Sequence, residues 1–152
     1  MKEPKCLAVI PARYASTRFP GKPLATILGK PMIQRVYEQV TAAEAVDEVV
    51  VATDDQRIVD AVNEFKGSVV LTNADHPSGS DRVAEAIQDR HPDFVLNVQG
   101  DEPLVRPDVL DQLVEVMDAD AEAPEMGTLA VPFQREHDRV TDPNNVKVVT
   151  DA

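Results

Sequence analysis

The sequence has a single cysteine, Cys6, among 152 residues. One thiol closes no internal disulfide, so the chain reads as a protein of a reducing compartment, the cytoplasm. Long apolar stretches are missing too: there is no apolar run of about 18 residues and no signal-peptide pattern at the start, so no membrane association is expected. Positive charge is scarce. Fifteen Lys and Arg stand against 27 Asp and Glu, a net charge of −12. That field repels polyanions and excludes a nucleic-acid coat or a protein that lies on an anionic membrane. Neither the GxxxxGK(S/T) spacing nor GxGxxG is present, and no Ser–His–Asp or Cys–His nucleophile system stands out. No internal repeat is found.

What is present is apolar material in short, regularly spaced runs. Hydrophobic residues make up 43% of the chain, enough for the core of one domain. Cys6 to Ile10 reads as a buried parallel strand and Glu48 to Ala52 as a second, with Ser68 to Leu71, Phe94 to Val98 and Thr128 to Val131 as further strands. Helical spacing lies between them. Ile33, Val36, Tyr37 and Val40 share one face after Pro31, which is placed in the first helical turn. Ile58, Val62 and Phe65 mark a second helix ending near Gly67, Val83 and Ile87 a short third, and Val109, Leu110, Leu113, Val114 and Met117 the inward face of a fourth opened by Pro107. Val146 to Thr150 looks like the start of another strand, and the acidic stretch Asp118 to Glu125 reads as a solvated loop. This alternation predicts a parallel α/β sheet with right-handed crossovers, and ligands of such sheets sit beyond the carboxyl ends of the strands.

Two segments there carry chemistry. Pro11 to Leu24 (PARYASTRFPGKPL) gathers Arg13, Arg18 and Lys22 with Ser16, Thr17 and Gly21, without one acid, in a chain that is otherwise acidic. Guanidinium forks, an ammonium and close backbone approach at glycine suit a phosphate. After the fourth predicted strand comes QGDEP, where Asp101 is the candidate ligand of Mg²⁺, a cation that takes few protein carboxylates and completes its shell with water and phosphate. Glu102 reads as structural.

The same loop, together with GKPMI (29–33), ATD (52–54), ADHPSGSDR (74–82), NVQGDEP (97–103), LAVP (129–132) and NNVKVV (144–149), closely resembles the 3-deoxy-manno-octulosonate cytidylyltransferase (CMP-Kdo synthetase) family, from about Leu7 onward. The resemblance implies a three-layer, Rossmann-like fold of the nucleotide-diphospho-sugar transferase type, with a mostly parallel sheet. It implies a nucleotidyltransferase that joins CTP and the acid sugar Kdo, with Mg²⁺, into CMP-Kdo and pyrophosphate for lipopolysaccharide synthesis. Arg13, Arg18 and Lys22 then surround the CTP phosphates as the catalytic cations, Asp101 holds the metal and Gln99 contacts substrate. Ala52, Thr53 and Asp54 fall in the cytosine and ribose pocket, where backbone groups read a pyrimidine edge. Ser78, Ser80 and Arg82 can hydrogen-bond base and phosphates, although Ser80 equally suits a helix cap, as Asp54 or Asp55 does for the preceding helix. His76 reads as structural.

Members of the family are longer, and homodimers. Residues 1–152 are therefore expected to be the N-terminal nucleotide-binding portion, truncated before the C-terminal part that supplies much of the sugar pocket, a second metal-binding Asp and the dimer contacts. Alone, this portion is expected to bind CTP weakly and to be inactive, with an uncovered strand edge prone to aggregation. The alternatives are a cytidylyltransferase for another acid sugar, or a non-catalytic nucleotide-binding fragment.

Overall fold

The computed structural model describes residues 5–15, 19–119, 125–130, 141–143 and 146–148. Its centre is β1 (Cys6–Ala12), flanked in parallel by β4 (Glu48–Thr53) and β6 (Phe94–Asn97), with β5 (Val69–Leu71) beyond β4. The order is β5-β4-β1-β6, so the chain builds outward from β1 on one side and then crosses back to its other side. The register sets Ile10 beside Val51 and Val9 beside Asn97.

A strand in the middle of a parallel sheet is covered on both faces, which is why CLAVI is apolar throughout instead of alternating. Cys6 to Ile10 are all 0% exposed. Their period of two divides the core. Cys6, Ala8 and Ile10 join Ile33, Val36 and Val40 of α1 (Met32–Thr41), Ile58 and Val62 of α2 (Gln56–Glu64), and Leu110 and Val114 of α4 (Pro107–Ala119). Leu7 and Val9 face Val83 and Ala86 of α3 (Gly79–Ala86) on the opposite side. Helices on both faces of a parallel sheet make the three layers expected. No helix among the described residues is long and apolar enough to cross a membrane.

Local sequence sets the helix starts. Asp55 caps α2, its carboxylate accepting from the Arg57 amide at 3.0 Å. Ser78 and Asp81 form a reciprocal capping box at α3. That corrects the expectation for Ser80, which is exposed: a cap must precede the first turn, and Ser80 already lies within it. Pro31 is likewise one position outside α1, because it closes a small hairpin of β2 (Thr26–Ile27) and β3 (Lys30–Pro31). The turn of that hairpin, Leu28 and Gly29, has φ of +48° and +82°, the handedness that matches strand twist. Arg35 donates to the carbonyls of Ile27 and Leu28 and holds the turn.

Three further expectations are corrected. Of the strand expected over Thr128 to Val131, residues 128–130 are irregular, and Val131 lies outside the described residues. Strands exist only by pairing, and β6 carries no second ladder partner among the described residues. Residues 146–148 are also irregular and exposed, with Val149 and Thr150 outside the description. Of the acidic stretch, Asp118 and Ala119 complete the last turn of α4 and residues 120–124 are outside the description.

Cys6 shows how closed the centre is. Burial pushes its thiol up to about 11, with Asp47 and Asp111 adding to the shift. Because the thiolate is the reactive form, Cys6 is expected to hold roughly a hundredth of its usual thiolate at pH 8. Ellman's reagent should therefore label it only as fast as the protein unfolds. The raised value also means that stability present below the ordinary thiol pKa is lost as pH rises from there toward about 11.

Candidate functional site

The carboxyl ends of β1 and β6 open into a cleft of about 190 Å³ at the point where the strand order reverses. One wall is the loop after β1, with Arg13 and Lys22; the other is the loop after β6, with Gln99, Gly100 and Asp101. The two walls meet. Lys22 Nζ lies 2.6 Å from Asp101 Oδ2, and both side chains remain open to solvent, at 38% and 51% exposure.

Glycine makes this approach possible. A Cβ on Gly100 would stand 2.9 Å from the Pro11 carbonyl oxygen, a contact real side chains do not make, so only glycine brings the second loop down onto the end of β1. Gly21 has φ of +72° and donates its amide to the Tyr14 carbonyl at 2.8 Å, returning the chain beside its point of departure. A 3-10 turn, Lys22–Leu24, follows with Pro23 buried, and Lys22 leaves its start toward the cleft. Arg18 lies outside the described residues.

Arg13 donates through Nη2 to the His76 carbonyl, and the His76 ring contacts the Glu85 carboxylate, so this histidine is held by its neighbours. His76 and the Asn73 amide keep the Glu85 carboxyl below its ordinary range, as the Ser78 hydroxyl does for Asp81.

The remaining expected site residues are placed differently. Ala52 and Thr53 are 0% exposed within the sheet. The Thr53 carbonyl accepts from the Thr72 amide at 2.8 Å, and its hydroxyl accepts from the Asp55 amide at 3.2 Å. Arg82, read from sequence as facing a ligand, is enclosed at 0% exposure. Its Nη2 lies 3.1 Å from Asp54 Oδ2, and its Nη1 donates to the Thr72 hydroxyl. Its Nε has no hydrogen-bond partner among the described residues. An interior guanidinium needs a counter-charge more than it needs reach, and Asp54 supplies it. Ser78 is committed to its cap, and Gln99 is exposed, donating to Asn97 at 3.3 Å. The structure therefore gathers Arg13, Lys22, Gln99 and Asp101 on one cleft, and pairs the enclosed Arg82 with the half-buried Asp54.

No group of three or more His, Cys, Asp or Glu able to hold a metal ion occurs among the described residues. Asp101 instead offers one accessible carboxylate at the mouth of the cleft. This donor set fits Mg²⁺, which is commonly held by one or two carboxylates and a ligand's phosphates, and does not fit a metal that needs a full protein cage.

A parallel sheet whose strand order reverses beside such a crevice defines the α/β class of nucleotide-binding folds. Within that class, a solved CMP:2-keto-3-deoxy-manno-octonic acid synthetase complexed with CTP superimposes with a TM-score of 0.77 and 48% identity, covering 79% of this chain and 50% of that one. The chain belongs to the cytidylyltransferase family, whose model matches residues 7–152. The 3-deoxy-manno-octulosonate cytidylyltransferase of Geobacter metallireducens is 52% identical over 147 residues, 97% of this chain and 57% of the relative. That of Syntrophotalea carbinolica is 55% identical over 144 residues, 95% of this chain and again 57% of the relative. The chain thus spans a little over half the length of these curated relatives.

Proposed function

We propose that this chain forms the CTP-binding part of an enzyme that transfers the cytidylyl group of CTP to the anomeric hydroxyl of Kdo, releasing pyrophosphate. The product, CMP-Kdo, serves lipopolysaccharide synthesis in the cytoplasm. The observation that carries this reading is the meeting of Lys22 and Asp101 across the cleft, within 2.6 Å, in a chain about half identical to two cytidylyltransferases.

In this reading the triphosphate enters between the two loops. Lys22 passes from Asp101 to phosphate oxygens, Arg13 adds charge from the same wall, and Asp101 is freed as a ligand. Asp101 would hold Mg²⁺, which supplies charge neutralisation at the phosphates when bound. The sugar hydroxyl attacks the α-phosphorus in line, the bond to the β-phosphate oxygen breaks, and no protein nucleophile is used. Catalysis then consists of positioning and electrostatic stabilisation of the leaving pyrophosphate.

Equilibrium dialysis with Mg²⁺ and each of CTP, UTP, ATP and GTP tests the nucleotide. CTP is expected to be retained most strongly, and equal retention of all four would contradict the reading. Supplied in turn with Kdo and a sialic acid, residues 1–152 alone are expected to release no pyrophosphate; release with the sialic acid alone would move the chain to another acid-sugar branch.

A further inference from the structure

We propose that Tyr14 is a positioning residue for the cation-bearing loop, fixed in place by Arg57 and, through it, by Asp55 at the start of α2. The proposal rests on the reading of the cleft as a triphosphate site.

Tyr14 directly follows Arg13, and its carbonyl takes the Gly21 amide at 2.8 Å, so the loop is gathered at this one residue. Its ring also lies against Gly21: a Cβ there would stand 3.1 Å from Cε2 and Cζ of the ring. Over the ring sits a guanidinium, with Arg57 Cζ 3.3 Å from the centroid. That guanidinium is not free to turn. Its Nε and Nη2 donate to the two oxygens of Asp55 at 2.8 and 2.6 Å, while the Arg57 amide donates to the same carboxylate. The line of contact therefore runs from the cap of a helix, through a planar fork and an aromatic ring, to the residue before Lys22.

A stacked, bidentate Arg restricts rotation in a way a lysine or a lone packing contact does not. Arg57 itself is largely exposed, with 58% of its side chain open to solvent, so the stack adds little to the core. What it constrains is where Gly21, and hence the Lys22 ammonium, can stand. Small displacements of a cation from its phosphate lower affinity and rate steeply, and this is the level at which Tyr14 acts.

The test is Mg·CTP affinity, followed by ³¹P resonances of CTP, with the urea unfolding midpoint measured alongside. Tyr14→Leu is expected to lower affinity by roughly tenfold and Arg57→Met by about threefold, the latter with a near-normal midpoint, whereas Tyr14→Phe, which keeps the ring, holds affinity to within about twofold of the native chain. If Tyr14→Leu fails to fold, Arg57→Met decides alone, since it removes the stack without entering the core. Native affinity in Arg57→Met and Tyr14→Leu would overturn the proposal. So would a Tyr14→Phe variant as weak as Tyr14→Leu, because the hydroxyl would then be the acting group. A native chain that leaves the ³¹P resonances unchanged would overturn both this inference and the reading beneath it, and so separates the two failures.

Discussion

Replacing Lys22 with Met is expected to weaken Mg·CTP binding by about 10- to 150-fold, the equivalent of one charge-assisted contact of about 1.5–3 kcal/mol. Asp101→Asn should cause a similar loss when Mg²⁺ is present and almost none when it is chelated, because this carboxylate acts only through the cation. Stability gives the control. Both partners of the Lys22–Asp101 bridge are well exposed, and such pairs contribute about 0–1 kcal/mol, so each variant should unfold close to the native midpoint. The double variant should lose less than the sum of the single losses, since residues facing one ligand across one cleft act together. Calorimetric titration of the four proteins with CTP, with and without Mg²⁺, measures all of this. Equal binding by native chain and Lys22→Met would remove the ammonium from the site.

Asp54→Ala is expected to have the largest effect on stability, about 3–5 kcal/mol, because it leaves a buried guanidinium without its counter-charge. Arg82 is 0% exposed, and two of its nitrogens, Nε and Nη2, already have no hydrogen-bond partner among the described residues. Removing the charge from both sides should be far milder: the Asp54→Leu, Arg82→Met double variant is expected to recover most of the loss, since apolar replacement of a buried pair is often close to neutral. Urea denaturation midpoints of the single and double variants provide the comparison. If Asp54→Ala unfolds at the native midpoint, the pair is not the interior support it is taken to be, and Arg82 is free to serve a ligand as the sequence first suggested.

The sheet was legible because each buried strand is a short unbroken apolar run, and because Asp55 and Pro107 mark their helix starts in the chain itself. The two walls of the cleft were legible for a related reason: a cluster of cations and an isolated acid both fell just past strand ends, where an α/β sheet keeps its ligands. The β2–β3 hairpin was not, since its turn places Leu28, not the usual Asn or Asp, at a left-handed φ of +48°. The burial of Arg82 was not legible, for a deeper reason. Nothing in SGSDR distinguishes a guanidinium that turns outward from one that turns inward, and only the sheet register puts Asp54 and Thr72 within its reach. The Tyr14–Arg57 stack was invisible on similar grounds, as its members are 43 positions apart and meet only once the loop after β1 folds across the start of α2. The spacing that could have flagged Gly100 is its place right after β6, but the reason for it, the nearby Pro11 carbonyl, belongs to the fold.

The most direct test is an amide ¹H–¹⁵N titration of the native chain with Mg·CTP, read at the two cleft loops. Gly21 and Lys22 on one side and Gly100 and Asp101 on the other should shift together along one binding curve, while the amide of Met117 near the far end of α4 stays in place. Shifts confined to one loop, or two loops following different curves, would contradict a single triphosphate held between them.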